Sequence, residues 1–250
     1  MNDDLQLWDE VAGRWDKKVA TDGTLRTVLF ENSLTDLLDT VENLHGLDAG
    51  CGNGYLTDML SEEGAAMIGI DGSKAMIDAA IARYPGRDFR QIDLLKPLPF
   101  PDASFDFVLC SMVLMHLVQV DTFLSESRRI LKDGGQLVIS ILHPCFNQPV
   151  MKLKRGLWSK IAGGRVVGEA SDYFDQPSNR RFESQVGEHL THYHRTLEEY
   201  SRKFRDNGLT IAEIREPHDL PEEFLRHRPE LEYATRLPRF ILFKTIKPTV

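Results

Sequence analysis

Apolar residues along the chain fall into two alternating patterns. Short continuous runs are bounded by turn residues, and longer segments carry apolar side chains at three- and four-residue spacing. The alternation predicts βα units and a mostly parallel sheet. Leu25, Val28, Leu29, Leu34, Leu37, Leu38 and Val41 follow helical spacing over residues 24–44. Strands are predicted over residues 45–49, 66–70, 89–92, 105–110, 136–142, 209–214 and 239–246. The run 105–110 is apolar enough to be buried on both faces. Helices are predicted over residues 55–63, from an N-cap at Ser73 through Tyr84, and over 121–131, stopped by Gly134-Gly135. Thr196-Leu197-Glu198-Glu199 reads as a capping box that opens a helix running to about Asn207-Gly208.

Residues 144–195 break the pattern. They scatter Gly, Pro, aromatic and basic residues without clear periodicity, as expected of a lid or binding insert. Trp8 and Trp15 lie seven apart on an N-terminal helix and therefore share a face. The chain reads as one domain over residues 1–250, with an N-terminal lid at 1–23 and a substrate-side insert at 144–195.

The chain has 250 residues, enough to bury a core without disulfides. Its three cysteines, Cys51, Cys110 and Cys145, form no C-x-x-C, which argues against a disulfide framework or a Cys-rich zinc site. The net charge of −8 argues against a whole surface built for nucleic acid. No apolar signal core opens the sequence, and the longest apolar stretch, 107–120, is too short to span a bilayer. A cytoplasmic protein is the expectation.

The chemistry concentrates in Leu47-Asp48-Ala49-Gly50-Cys51-Gly52-Asn53-Gly54, between a predicted strand and helix. Glycines at this turn let a ligand approach the backbone, and the helix start offers unpaired N–H groups. A dinucleotide fingerprint needs a small residue at position 55, where this chain has Tyr55. An acid at Asp48 would repel a pyrophosphate and welcome an amino group, so an amino-acid-bearing nucleoside fits better.

This D-x-G-x-G-x-G pattern resembles motif I of the class I S-adenosylmethionine (SAM)-dependent methyltransferases. Gly69-Ile70-Asp71, Ile92-Asp93-Leu94, the stretch from Leu98 to Asp106 running into Ser111, and Leu131-Lys132-Asp133-Gly134-Gly135 resemble later elements of that family in order and spacing. Asp133 stands where Pro is more frequent. The nearest subgroup is the type 11 group that includes ubiquinone and menaquinone biosynthesis methyltransferases. The resemblance is strong over residues 45–142 and looser over 196–250.

It implies an α/β fold, a doubly wound seven-stranded sheet with the last strand antiparallel. It also implies the cofactor SAM and the product S-adenosylhomocysteine. The implied cofactor-binding residues are Asp48, Ala49, Gly50, Cys51, Gly52 and Gly54; Asp71 at the ribose with Gly72 and Ser73; Met76 over the adenine; Asp93 and Leu94 at the adenine edge; Ser111 and Met112 near the methyl group; and Trp15 on the lid. His143, after strand five, and His116, after strand four, are the candidate catalytic bases. No metal is expected, although His189, His192 and His194 lie close in sequence.

The expected reaction is methyl transfer to a small-molecule acceptor, with aromatic residues of the insert (Trp158, Tyr173, Phe174, Phe182, Tyr193) closing the pocket. The alternatives are an RNA or protein methyltransferase using the basic group Lys152, Lys154, Arg155, Lys160 and Arg165, and a SAM-binding regulator without turnover.

Overall fold

In the computed structural model, residues 3–21, 33–34, 36–146, 150–154, 167–170, 173–174, 178–183 and 188–249 are described. The apolar runs assemble one seven-stranded sheet. Its strands are β1 (His45–Ala49), β2 (Ala66–Asp71), β3 (Asp88–Gln91), β4 (Phe105–Ser111), β5 (Leu131–Leu142), β10 (Thr210–Arg215) and β11 (Phe240–Ile246), in the order β10-β11-β5-β4-β1-β2-β3. Strands β1 to β5 pair in parallel, and β11 runs antiparallel between β5 and β10. The sheet is the doubly wound fold expected above. It reverses direction of growth at β1, with β2 on one side and β4 on the other, and such a reversal leaves a crevice at the carboxyl edge.

Alternation along β4 explains its continuous apolar run. Phe107 and Leu109 pack into one core cluster with Leu34, Leu37, Leu60, Val138 and Leu242. Val108 and Cys110 pack into the opposite cluster with Phe123, Leu124, Leu137, Ile139, Phe204 and Phe243. Successive side chains point to opposite faces, so a strand covered on both sides must be apolar throughout.

The helices covering the sheet are α2 (Tyr55–Glu62), α3 (Lys74–Arg83), α4 (Asp121–Ile130) and α5 (Leu197–Asp206). Both predicted caps form. Ser73 Oγ accepts from Met76 N at 3.2 Å, and Thr196 Oγ1 accepts from Glu199 N at 3.1 Å. Helix α4 ends at Ile130 rather than at the glycine pair, because Leu131 already pairs with Phe105 and starts β5. Gly134 instead occupies a left-handed bend with φ 78° inside that long strand.

The insert is less irregular than its composition implies. It contains two antiparallel hairpins, β6 (Met151–Lys154) with β7 (Val167–Ala170) and β8 (Ser178–Glu183) with β9 (Glu188–Tyr193). Their pairing is local to the insert, and the alternation is too short to register as a sheet signal. A helix α6 (Glu222–His227) and two 3-10 turns, Leu114–His116 and Pro229–Thr235, complete the described elements. Leu25, Val28, Leu29, Arg155, Trp158, Lys160 and Arg165 lie outside the described residues, as do the side chains of Lys152, Lys154, Phe182 and His189.

Phe107 lies 2% exposed on β4, its ring against Gly46 on the neighbouring strand, where a Cβ would stand 2.3 Å from Phe107 Cζ. Replacing it with alanine opens a cavity in the core cluster on this face of the sheet, beside Gly46, which has no side chain to fill it. Phe107→Ala is expected to lower stability by about 3–5 kcal/mol, measured by urea denaturation.

Candidate functional site

The site forms where β1, β2 and β4 end. The chain leaves β1 into a glycine loop that is fastened to the end of β2. Gly50 N and Cys51 N both donate to Ile70 O, at 2.7 and 2.9 Å, and Gly52 N donates to Asp71 Oδ2 at 3.0 Å. Asp71 Oδ1 accepts from Ser73 N at 2.8 Å. The turn demands glycine for two separate reasons. Gly50 has φ 82°, and a Cβ there would sit 2.3 Å from Val113. Gly54, also at φ 82°, starts α2, and a Cβ there would strike the Phe89 ring at 2.5 Å.

A cleft of about 1020 Å³, open to solvent, lies over this loop. Among its lining residues are Asp48, Gly50, Cys51, Gly52, Asp71, Gly72, Met76, Asp93, Leu94, Ser111, Met112, His116 and Trp15. The structure therefore brings together most of the residues singled out from sequence. Four others lie elsewhere. Ala49, the last residue of β1, is fully buried; Gly54 packs on Phe89; Ser73 is buried as the α3 cap. None of these three lines the cleft.

His143 is the fourth, and it stands at the same sheet edge but beyond β4, on the side of β11. It is 2% exposed, its Nδ1 accepts from Cys145 N at 3.1 Å, and its Nε2–H donates to Glu216 Oε1 at 2.8 Å. Both ring nitrogens are thus engaged, Nδ1 within the turn after β5 and Nε2 in joining that turn to the end of β10. Burial holds its pKa below the usual histidine value, against the opposing pull of Glu216.

The lining also includes residues that sequence reasoning did not assign to it: Asp4, Leu5, Trp8, Asn53, Tyr55, Leu56, Leu95, Val113 and Leu117. Three of them come from α1 (Asp3–Thr21), which lies over the cleft. Leu5 packs on Gly72, where any Cβ would meet its Cδ2 at 2.5 Å. Asp9 Oδ1 accepts from Ser73 Oγ at 2.6 Å and from Ala75 N at 3.1 Å, so a lid side chain supplements the N-cap of α3. Asp4 accepts from the Tyr193 hydroxyl at 2.8 Å, and Val11 packs with Leu190 on β9. Trp8 meets Trp15 edge-on at 5.6 Å and His116 edge-on at 5.1 Å. The shared face of Trp8 and Trp15 was the available signal for this lid.

The electrostatics separate the acids. Burial raises the Asp71 pKa, and nearby Asp9 adds to that rise. Asp48 lies 1% exposed below the loop, accepting from Thr57 Oγ1 at 2.7 Å. Burial, followed by the charges of Asp48 and Asp71, pushes the Cys51 thiol up, so it is held as a thiol and not a nucleophile.

Residues 47–139 match the family model described as a methyltransferase domain. A probable S-adenosylmethionine-dependent methyltransferase from Mycolicibacterium smegmatis is 40% identical over 94 residues, covering 38% of this chain and 36% of that protein. A demethylmenaquinone methyltransferase from Tropheryma whipplei is 32% identical over 143 residues, 56% of this chain and 59% of that protein. A solved S-adenosylmethionine-dependent methyltransferase from Mesorhizobium loti superposes with a TM-score of 0.75 at 25% identity, covering 90% of this chain and 99% of that one. Residues 47–139 are thus a methyltransferase domain similar to those of SAM-dependent methyltransferases. The chain spans 36% and 59% of the lengths of the two curated relatives named here.

The cleft suits SAM. A carboxylate offers about four acceptor positions, so Asp71 can hold Gly52 and Ser73 and still accept from ribose hydroxyls. The turn at Gly52 leaves open space where a Cβ would project, which admits a ligand against the backbone. The apolar Met76, Leu94 and Leu95 provide walls for a flat base. Among the described residues, no helix is long and apolar enough to cross a membrane.

Two outcomes follow. Asp71→Ala is expected to weaken S-adenosylhomocysteine binding by about 1–3 kcal/mol in calorimetry, the cost of leaving polar partners unmatched. For His143, a folded-state pKa below the unfolded value means its stabilisation is present above the unfolded pKa and lost as pH falls through that range. The melting temperature should therefore drop on acidification below about pH 6.5, and His143→Asn should flatten that drop.

Proposed function

We propose that this chain transfers the methyl group of SAM to a small-molecule acceptor and releases S-adenosylhomocysteine. The observation that carries the reading is the aromatic wall that α1 adds to one side of the cleft. Helix α1 lies over it, Trp8 and Trp15 stand in its wall, and His116 faces the same space from the turn after β4. A concave cleft with aromatic walls suits a small molecule better than a polymer, although the insert residues Tyr173, Phe174 and Tyr193, expected to close it, do not line it. The relative named as a demethylmenaquinone methyltransferase supports the same class of acceptor.

When bound, SAM supplies an already activated methyl group, and the protein's part is alignment and exclusion of water. Asp71, with the glycine loop tied to it, holds the nucleoside end. Leu5, Trp8 and Trp15 give the cleft an apolar wall beside the nucleoside end.

His116 is the base for an acceptor that must lose a proton. Its Nδ1 lies 2.7 Å from Thr191 O, and a carbonyl oxygen can only accept, so Nδ1 carries the proton. In the neutral ring Nε2 then bears the lone pair. His143 has no such place, since it is committed to Glu216 and Cys145 away from the cleft.

The test is label transfer from methyl-labelled SAM into a cell extract split into small-molecule, RNA and protein fractions. Label is expected in the small-molecule fraction; label in RNA or protein alone overturns the reading. With the acceptor in hand, His116→Ala should lower kcat by about 10²–10⁴-fold while S-adenosylhomocysteine affinity stays near that of the unaltered protein.

A further inference from the structure

We infer that Arg195 is a positioning residue: a buried guanidinium that fixes the 3-10 turn Leu114–His116 and so sets the direction and tautomer of the His116 ring. The inference rests on the reading of His116 as the base. Arg195 lies just beyond β9 and is 6% exposed, an unusual place for a cation. It meets the Tyr200 hydroxyl and Glu199, but three of its four backbone contacts go to carbonyls of residues 114–118. Nη2 donates to Leu117 O at 2.7 Å and to Val118 O at 3.0 Å, and Nη1 reaches Leu114 O at 3.4 Å and Tyr193 O at 3.5 Å.

The turn needs this help. It is one turn long, and its last carbonyls have no following helix to donate to them. A planar fork with several donors can serve those carbonyls together, which a single ammonium cannot. A positive charge also suits the carbonyl end of a helical turn.

The same strand acts on the ring itself. Thr191, four residues before Arg195, presents the carbonyl that takes the His116 Nδ1 proton. Residues 191–195 thus grip the turn twice, through its main chain at Arg195 and through its imidazole at Thr191. Trp8 closes the third side of the ring, edge-on at 5.1 Å. A base displaced by even about 1 Å loses much of its effect, so a fixed turn has a catalytic consequence.

The titratable groups around this arrangement are few in kind. His192 on β9 has its ring 6.1 Å from that of His116, and Glu199 on α5 lies 3.8 Å from Arg195 Nε. Tyr200, buried beneath them, has its hydroxyl pKa pushed up to about 12 by burial and stays protonated. Asp4 on α1 is held by Tyr193 on β9. Arg195 itself does not line the cleft.

The experiment compares Arg195→Lys and Arg195→Gln with the unaltered chain. Long-range nitrogen–proton NMR of the histidine rings, with the His116 signal assigned through His116→Ala, reads the tautomer. Calorimetry with S-adenosylhomocysteine reads the cofactor site, and the acceptor found by label transfer gives kcat and KM. Expected are a His116 signal moved from one Nδ1–H tautomer toward a mixture and a kcat lower by about 10–100-fold. S-adenosylhomocysteine affinity and KM should stay within about twofold. An unchanged His116 signal in both variants overturns the inference, as does loss of the fold or of S-adenosylhomocysteine binding in both, which would make Arg195 purely structural. If the unaltered protein transfers no label, the methyl-transfer reading fails, and the tautomer measurement still decides the role of Arg195.

Discussion

The carboxyl end of β2 anchors the site. Ile70 O takes two backbone donors from the glycine loop, and Asp71 takes a third from that loop and a fourth from the start of α3. These bonds bring the exits of β1 and β2 to one point. They also hold a carboxylate at the floor of a cleft, despite the cost of burying it, because backbone N–H groups offset its lost water. Without them the glycine loop would have no fixed shape, since glycine loses the most freedom on ordering.

The two halves of the cleft are built differently. The cofactor side is made by the sheet edge, from neighbouring strands whose pairing leaves little freedom. The other side is made by elements that are distant in sequence, α1 and the turn after β4, with β9 packed behind them. They are joined by Asp4 to Tyr193, Trp8 to His116, and Thr191 to His116. Helix α1 also touches the cofactor side through Leu5 on Gly72 and Asp9 on Ser73. One helix therefore spans both halves and ties them together.

His116 and His143 show how the sheet edge sorts similar residues. Both follow a strand at the carboxyl edge. Strand β4 borders the reversal point at β1 and β5 does not, so only the histidine after β4 reaches the cleft. The histidine after β5 meets Glu216 instead and becomes a tie between strand ends. Strand order alone makes this distinction, and no local pattern around either histidine carries it.

The sequence by itself determined the parallel sheet, its strand spans to within a residue or two at most ends, the caps at Ser73 and Thr196, and the glycine loop with Asp71 and Asp93. Strands, caps and loop rest on local chemistry, namely apolar runs long enough to bury, side chains that bond their own backbone, and turns only glycine can make, whereas Asp71 and Asp93 were singled out by the family resemblance. Tertiary structure alone decided that the insert folds as two hairpins, that the lid helix α1 reaches the glycine at Gly72 and the cap at Ser73, that Gly54 serves Phe89, and that Arg195 reaches the His116 turn. Those contacts join residues far apart in the chain, 78 positions in the case of Arg195 and Leu117. Their energy comes from packing and from carbonyls whose partners no neighbouring residue supplies, and a local pattern holds no record of either.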